Sequence, residues 1–211
     1  MIQFKTKEPI DSQKIITNSK LVKQANQLQR EAKLILNNLG LLKILKEISE
    51  PKIVGSMVSG LMVMKDIDIH TYVKKYNLKK ILNLLPKLAL LPTIRKAQFN
   101  NYREFRKDYR KDRVHFPHGY YIGLRSIQRS DEWKIDIWFI KEGEDRSFND
   151  SRLQNLLDEQ REIILKLKNL WLIKNGYRNG ISSIDFYKAV LDFEVKTEKD
   201  FENYLKNKEE K

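Results

Sequence analysis

Residues 55–70 read GSMVSGLMVMKDIDIH and set Asp66 and Asp68 two positions apart, alternating with Ile67 and Ile69. Aspartate is disfavoured inside a strand. Side chains at i and i+2 also project from one face, so the two carboxylates repel each other while the isoleucines turn to a core. A cation between the acids is the economical remedy. Mg²⁺ is typically held by one or two protein carboxylates, with phosphate oxygens and water completing its octahedron. Asp136 has the same setting, in KIDIWF between Ile135 and Ile137. If its strand neighbours the first, three carboxylates converge as a two-metal site requires for clamping the attacking and leaving oxygens of an in-line displacement. Gly55 and Ser56 lie at a strand-to-helix turn, where glycine lets a phosphate approach the backbone and serine adds a hydroxyl beside exposed amides.

The elements that must position these residues follow from periodicity. Apolar residues at helical spacing run from Ser19 to Asn38, and Gly40 ends that helix. LLKILKEIS predicts a second helix that stops before Pro51. KIVG reads as a buried strand and IDIHTYV as another, with a short helix from Ser56 to Met64 between them. NLKKILNLLPKL is an amphipathic helix bent or ended by Pro86, and TIRKAQF is a strand. YYIGLRSIQ and EWKIDIWFI form an antiparallel hairpin across RSD. Beyond Asn149, Leu153, Leu156, Leu157, Ile163, Ile164, Leu167, Leu170 and Trp171 draw an apolar stripe along one long helix. Gly176 and Gly180 mark a turn, and Ser182 with Asp185 and Thr197 with Asp200 resemble capping boxes opening two more helices. Residues 1–17 show only a short extended piece at Ile2–Phe4. The expected fold is one mixed α/β core, with helices on both sides of a sheet.

The 211 residues are 41% hydrophobic and 10% aromatic, enough for a substantial core. There is no cysteine, which excludes disulfides, thiolate metal sites and a cysteine nucleophile. No apolar run approaches the roughly 20 residues that span a bilayer, and the N-terminal residues lack a signal-peptide pattern. A cytoplasmic protein with no membrane partner is expected. The net charge of +13 attracts polyanions such as nucleic acid or nucleotides, unless it is only a lysine-rich solubilising surface.

Val54-Gly55-Ser56, nine further residues and then Asp66-Ile67-Asp68-Ile69 resembles the signature of the nucleotidyltransferase superfamily that includes DNA polymerase beta, and Asp136 looks like its later third acid. The resemblance covers roughly residues 41–142. It implies a small mixed β-sheet core of α+β type, with an N-terminal helical extension over 1–40 and a C-terminal helical region over 143–211. It also implies two Mg²⁺ ions, replaceable by Mn²⁺, and transfer of a nucleoside monophosphate from a nucleoside triphosphate such as ATP, with release of pyrophosphate. Asp66 and Asp68 would hold the metals. Asp136 would complete the acceptor-side site and accept the acceptor hydroxyl's proton. Gly55 and Ser56 would grip the triphosphate. Lys65, where many members carry a small polar residue, contacts phosphate or faces solvent. The acceptor is a small molecule or a protein. Alternatives are an RNA 3′ end, as in tRNA-modifying or toxin-like members, and a non-catalytic nucleotide- or RNA-binding member.

Other residues have plainer readings beside functional ones. His70 shares the face of the two acids and is a hydrogen-bonded neighbour or a substrate contact. Arg125, Arg129 and Lys134 flank the Asp136 strand and either neutralise a triphosphate or form a solvated face. Trp138 is core or a base-stacking platform. Arg103–Arg113, with Tyr102, Phe105 and Tyr109 interleaved, is a basic amphipathic helix or a nucleic-acid surface. His115 and His118 belong to an ordinary loop.

Overall fold

The computed structural model describes residues 18–104, 117–145, 150–175 and 181–209. The expectations for Ile2–Phe4, for Phe105 to His115 and for the turn at Gly176 and Gly180 lie outside these residues. Helix α1 (Asn18–Leu39) buries Leu21, Ala25, Leu28, Ala32, Ile35 and Leu36 of its stripe and half-buries Val22, and Gly40 turns the chain at φ 60°. Helix α2 (Leu41–Leu45) covers only the first half of the predicted second helix, the remainder being turns. Then come β1 (Pro51–Val54), the single turn α3 (Ser56–Ser59), β2 (Asp66–Val73), α4 (Leu78–Leu82), α5 (Leu84–Ala89) and β3 (Ile94–Asn101). The hairpin of β4 (Tyr120–Gln128) and β5 (Asp131–Lys141) leads to a 3-10 turn at Ser151–Gln154. Helices α6 (Asp158–Asn175), α7 (Ser183–Asp192) and α8 (Glu198–Glu209) follow.

The five strands form one mixed sheet in the order β1-β2-β5-β4-β3, with β2 and β5 parallel and the other pairs antiparallel. Alternation decides its two faces. Ile67, Ile69, Ile122, Leu124, Trp133, Ile135, Ile137 and Phe139 turn inward and pack with α1, α2, α4 and α5. Asp66, Asp68, His70 and Tyr72 on β2, with Lys134, Asp136 and Trp138 on β5, occupy the opposite face. A second apolar cluster gathers Ile164, Leu165 and Leu167 of α6, Phe186 and Val190 of α7 and Phe201 of α8 on Leu21 and Ala25 of α1. Helix α1 therefore joins both clusters, and the polar sheet face lies beside the second. None of the described helices is long and apolar enough to cross a membrane.

Further expectations need correction. KIVG is not a buried strand: β1 is a sheet edge, with Lys52 exposed and Ile53 half-buried. Pro86 neither bends nor ends its helix. The break falls at Asn83, and Pro86 sits in the first turn of α5, where its missing N–H deprives no partner. The long helix after Asn149 is two elements. Leu157 is 67% exposed and its N–H is capped by the Gln160 side chain at 3.2 Å, so α6 starts at Asp158. Both predicted capping boxes are present, Ser182 N–H bonding Asp185 at 2.8 Å and Thr197 N–H bonding Asp200 at 3.0 Å.

Candidate active site

Parallel pairing of β2 with β5 sets Asp66 opposite Lys134 and Asp68 opposite Asp136. One oxygen from each of Asp66, Asp68 and Asp136 lies within 4.8 Å of the other two. Asp136 Oδ1 accepts from the Tyr121 hydroxyl at 2.8 Å and its Oδ2 accepts from Lys134 Nζ at 2.6 Å. The same ammonium reaches Asp66 Oδ2 at 3.5 Å. Asp66 Oδ1 is buried and has no hydrogen-bond partner. A buried acceptor left unpaired costs about 1–3 kcal/mol, more when charged, so a cation beside Asp66 Oδ1 would relieve that cost. Three carboxylates are a hard, all-oxygen donor set suited to Mg²⁺ or Mn²⁺.

Burial, aided by the neighbouring charges of Asp66 and Asp136, pushes the Asp68 carboxyl up to about 8. Burial also raises Asp66, against the pull of Lys134. Burial opposes the charge on Lys134, but Asp136 and Asp66 outweigh it and hold its pKa above the ordinary value. Asp68 therefore keeps its proton near neutrality, and a divalent ion held there would have to displace it. Affinity for Mn²⁺ is expected to rise about tenfold per pH unit between about pH 6 and 8 and to level off above that. Calorimetry in buffers of different ionisation heat should show about one proton released per ion at neutral pH. A pH-independent affinity would refute this.

Gly55 fits the site through its missing side chain. Its backbone is at φ 72° and ψ −152°, and a Cβ there would stand 2.7 Å from Asp68 Oδ2. The helix predicted after it shrinks to α3, where Val58 N–H and Ser59 N–H both close on Gly55 O. Gly60, at φ 70°, ends that turn, because Leu61 to Met64 must run back beneath α6 toward β2.

A cavity of about 540 Å³ opens over this face of the sheet, within the ~300–1,000 Å³ range of small-molecule sites. Gly55, Ser56, Asp66, Asp68 and Asp136 line it on one side. Lys168 of α6, with Ser183 and Tyr187 of α7, lines the other. Lys168 is only 2% exposed, and its ammonium donates to Leu61 O at 2.8 Å and to the Tyr187 hydroxyl at 3.2 Å. Both acceptors are neutral, so a buried positive charge faces the cavity across from the acids. Sequence reasoning missed Lys168. Its signal was a lysine at i+4 from Ile164 and three before Trp171, on the buried stripe of α6.

The remaining candidates separate by place. His70 and Trp138 line the cavity, and His70 Nδ1 lies 3.4 Å from the Tyr72 hydroxyl and 3.5 Å from Asp145 Oδ2. Tyr72 in turn donates to Asp145, two residues the sequence did not flag. Trp138 is 6% exposed and packs against Tyr102 and Tyr121. Lys65 pairs with Asp131 at 2.5 Å and Arg125 with Glu132 at 3.8 Å, and neither lines the cavity. Arg129 lies in the β4–β5 turn at φ 57°. His118 accepts at its backbone carbonyl from the Tyr76 hydroxyl, as part of a loop.

No family model matches the chain, and no curated protein matches it. Among solved structures, it is similar to a non-canonical poly(A) polymerase complex, GLD-2–GLD-3, at 12% identity and TM-score 0.47, covering 82% of this chain and 58% of that one. It is also similar to a cytoplasmic RNA terminal U-transferase at 17% identity and TM-score 0.48, covering 83% of this chain and 54% of that one. A third likeness is to a CdnC:HORMA-deltaN complex of E. coli MS115-1 at 16% identity and TM-score 0.37, covering 84% and 59% of the two chains. The chain thus spans somewhat over half the length of each.

Proposed function

We propose that the chain transfers a nucleoside monophosphate from a nucleoside triphosphate to a hydroxyl-bearing acceptor. The observation that carries this reading is the in-register meeting of Asp68 and Asp136, with Asp66, beside the Gly55 turn and at the rim of a cavity large enough for a nucleotide. Asp66, Asp68 and Asp136 would hold Mg²⁺ or Mn²⁺. When bound, such ions neutralise triphosphate charge and favour an ionised attacking oxygen. The chain's own residues do the rest. Gly55, lacking a Cβ, lets the Asp68 carboxylate close against the turn, and Lys168 sets a positive charge on the far wall. The acceptor hydroxyl attacks the α-phosphorus, the bond from that phosphorus to the bridging oxygen breaks, and pyrophosphate leaves. Asp136, level with Asp68 in the sheet register, takes the acceptor's proton.

The test is incubation of the full chain with each α-labelled nucleoside triphosphate, Mg²⁺ and pools of small molecules, proteins or RNA. Label should pass to one acceptor class, with pyrophosphate released and EDTA stopping both. Absence of transfer with every pool, alongside intact nucleotide binding, would instead indicate the non-catalytic alternative. The acceptor is taken to be a small molecule or protein, because the site is a cavity of bounded volume. The net charge of +13 favours a second reading, in which an RNA 3′ hydroxyl is the acceptor. Salt separates the two, since many phosphate contacts make affinity fall steeply with ionic strength.

A further inference from the structure

The charges inside the triad are arranged unequally. Both oxygens of Asp136 already accept hydrogen bonds, Oδ1 from Tyr121 at 2.8 Å and Oδ2 from Lys134 at 2.6 Å. Asp66 shares its Oδ2 with the same ammonium at 3.5 Å but leaves Oδ1 buried and unpartnered. Asp68 Oδ2 lies against Gly55. The acceptor capacity that remains is therefore on the Asp66–Asp68 side, while the Asp66–Asp136 side is bridged by a cation that belongs to the chain. We propose that Lys134 is a tethered cation that holds the Asp66–Asp136 position and limits the metal-free triad to one divalent ion, bound between Asp66 and Asp68.

Strand alternation and sheet register together produce this arrangement. Position 134 is two before Asp136 on β5, hence on the same face, and parallel register sets it directly beside Asp66. A charged, hydrogen-bonded ammonium between two carboxylates is among the stronger polar contacts. A second ion can enter only when Lys134 swings away. Its side chain is about one-third exposed, so an outward rotamer is open to it. A triphosphate in the cavity would offer that ammonium a new anionic partner. Binding of nucleotide would then clear the second position, coupling metal loading to the presence of substrate. The inference rests on the reading of the triad as a metal site.

The experiment titrates Mn²⁺ into the metal-free full chain at pH 8 and follows free Mn²⁺ by electron paramagnetic resonance, without nucleotide. Wild type should bind one ion, Lys134→Met two, and Lys134→Arg, which keeps the charge, one. Lys134→Gln serves in place of Lys134→Met if that variant does not fold. Two ions on the wild type, or one on the folded neutral variants, would overturn the proposal. Asp66→Asn is the separate control. If it binds Mn²⁺ as wild type does, or if wild type binds none, the metal reading of the triad has failed, whatever Lys134 does.

Discussion

Asp68→Asn is expected to abolish nucleotide transfer while raising the melting temperature of the metal-free protein. The two effects have one cause. Asp68 is a carboxylate that the fold resists ionising, because burial and the charges of Asp66 and Asp136 oppose it. Its folded pKa, about 8, lies above the ordinary aspartate value of 3.8, so the protonated form stabilises the fold below about pH 4. That contribution is lost as pH rises through about 8. Asparagine removes the penalty, and its amide can donate to a neighbouring carboxylate. The gain should be on the order of 1–2 kcal/mol at pH 8, or roughly 2–8 °C for a chain of this size. It should vanish at about pH 4, where Asp68 is protonated in any case. The same change deletes a proposed metal ligand, and transfer should fall on the order of 10³-fold. Calorimetric melts at the two pH values, beside label-transfer rates, check both. A variant that stays active, or that is less stable at pH 8, would contradict the assignment of Asp68.

Gly55→Ala is expected to lose both stability and activity. Positive φ with extended ψ is a region that non-glycine residues enter only at about 1–3 kcal/mol. The added Cβ would also stand 2.7 Å from Asp68 Oδ2, well inside contact distance. Either the turn or the Asp68 carboxylate must move. A loss of about 2–4 kcal/mol is expected from the two costs together, with transfer down on the order of 10²-fold because a small displacement of a proposed metal ligand suffices. Gly40→Ala is the matched control. Gly40 is also at positive φ, 60°, but a Cβ there meets nothing within 4 Å. It should cost about 1–2 kcal/mol for the left-handed backbone and leave the transfer rate unchanged. Equal loss of activity in both variants would show that Gly55 serves the fold alone.

Local pattern was enough for much of this protein. Alternation at 66–69 and at 135–137 is set by which side chains can be buried, so it marks both the strands and the acids on their far face before any partner is known. The stripe of α1, the hairpin of β4 and β5 and the two capping boxes are likewise short-range matters of periodicity and of hydrogen bonds three residues apart. The parallel pairing of β2 with β5 is different: some sixty residues separate the strands, and only the folded sheet shows Asp68 opposite Asp136. Tertiary contact also decided what each polar group does. In the sequence Lys134 either neutralises a triphosphate or faces solvent, yet register makes it the cation between two acids. Nothing in the apolar stripe singled out Lys168, yet packing of α6 on α7 turns it toward the cavity. Tyr121 reaches Asp136 because Gly123, facing it on β4, has no side chain to obstruct its hydroxyl. Leu157 and Pro86 misled because a cap or a helix start is settled by a few nearby hydrogen bonds that apolar spacing does not encode. Sequence, by itself, determined which residues carry charge and which carry the core. Only the tertiary structure decided which charges meet, because burial and electrostatic coupling depend on distances between segments that are remote along the chain.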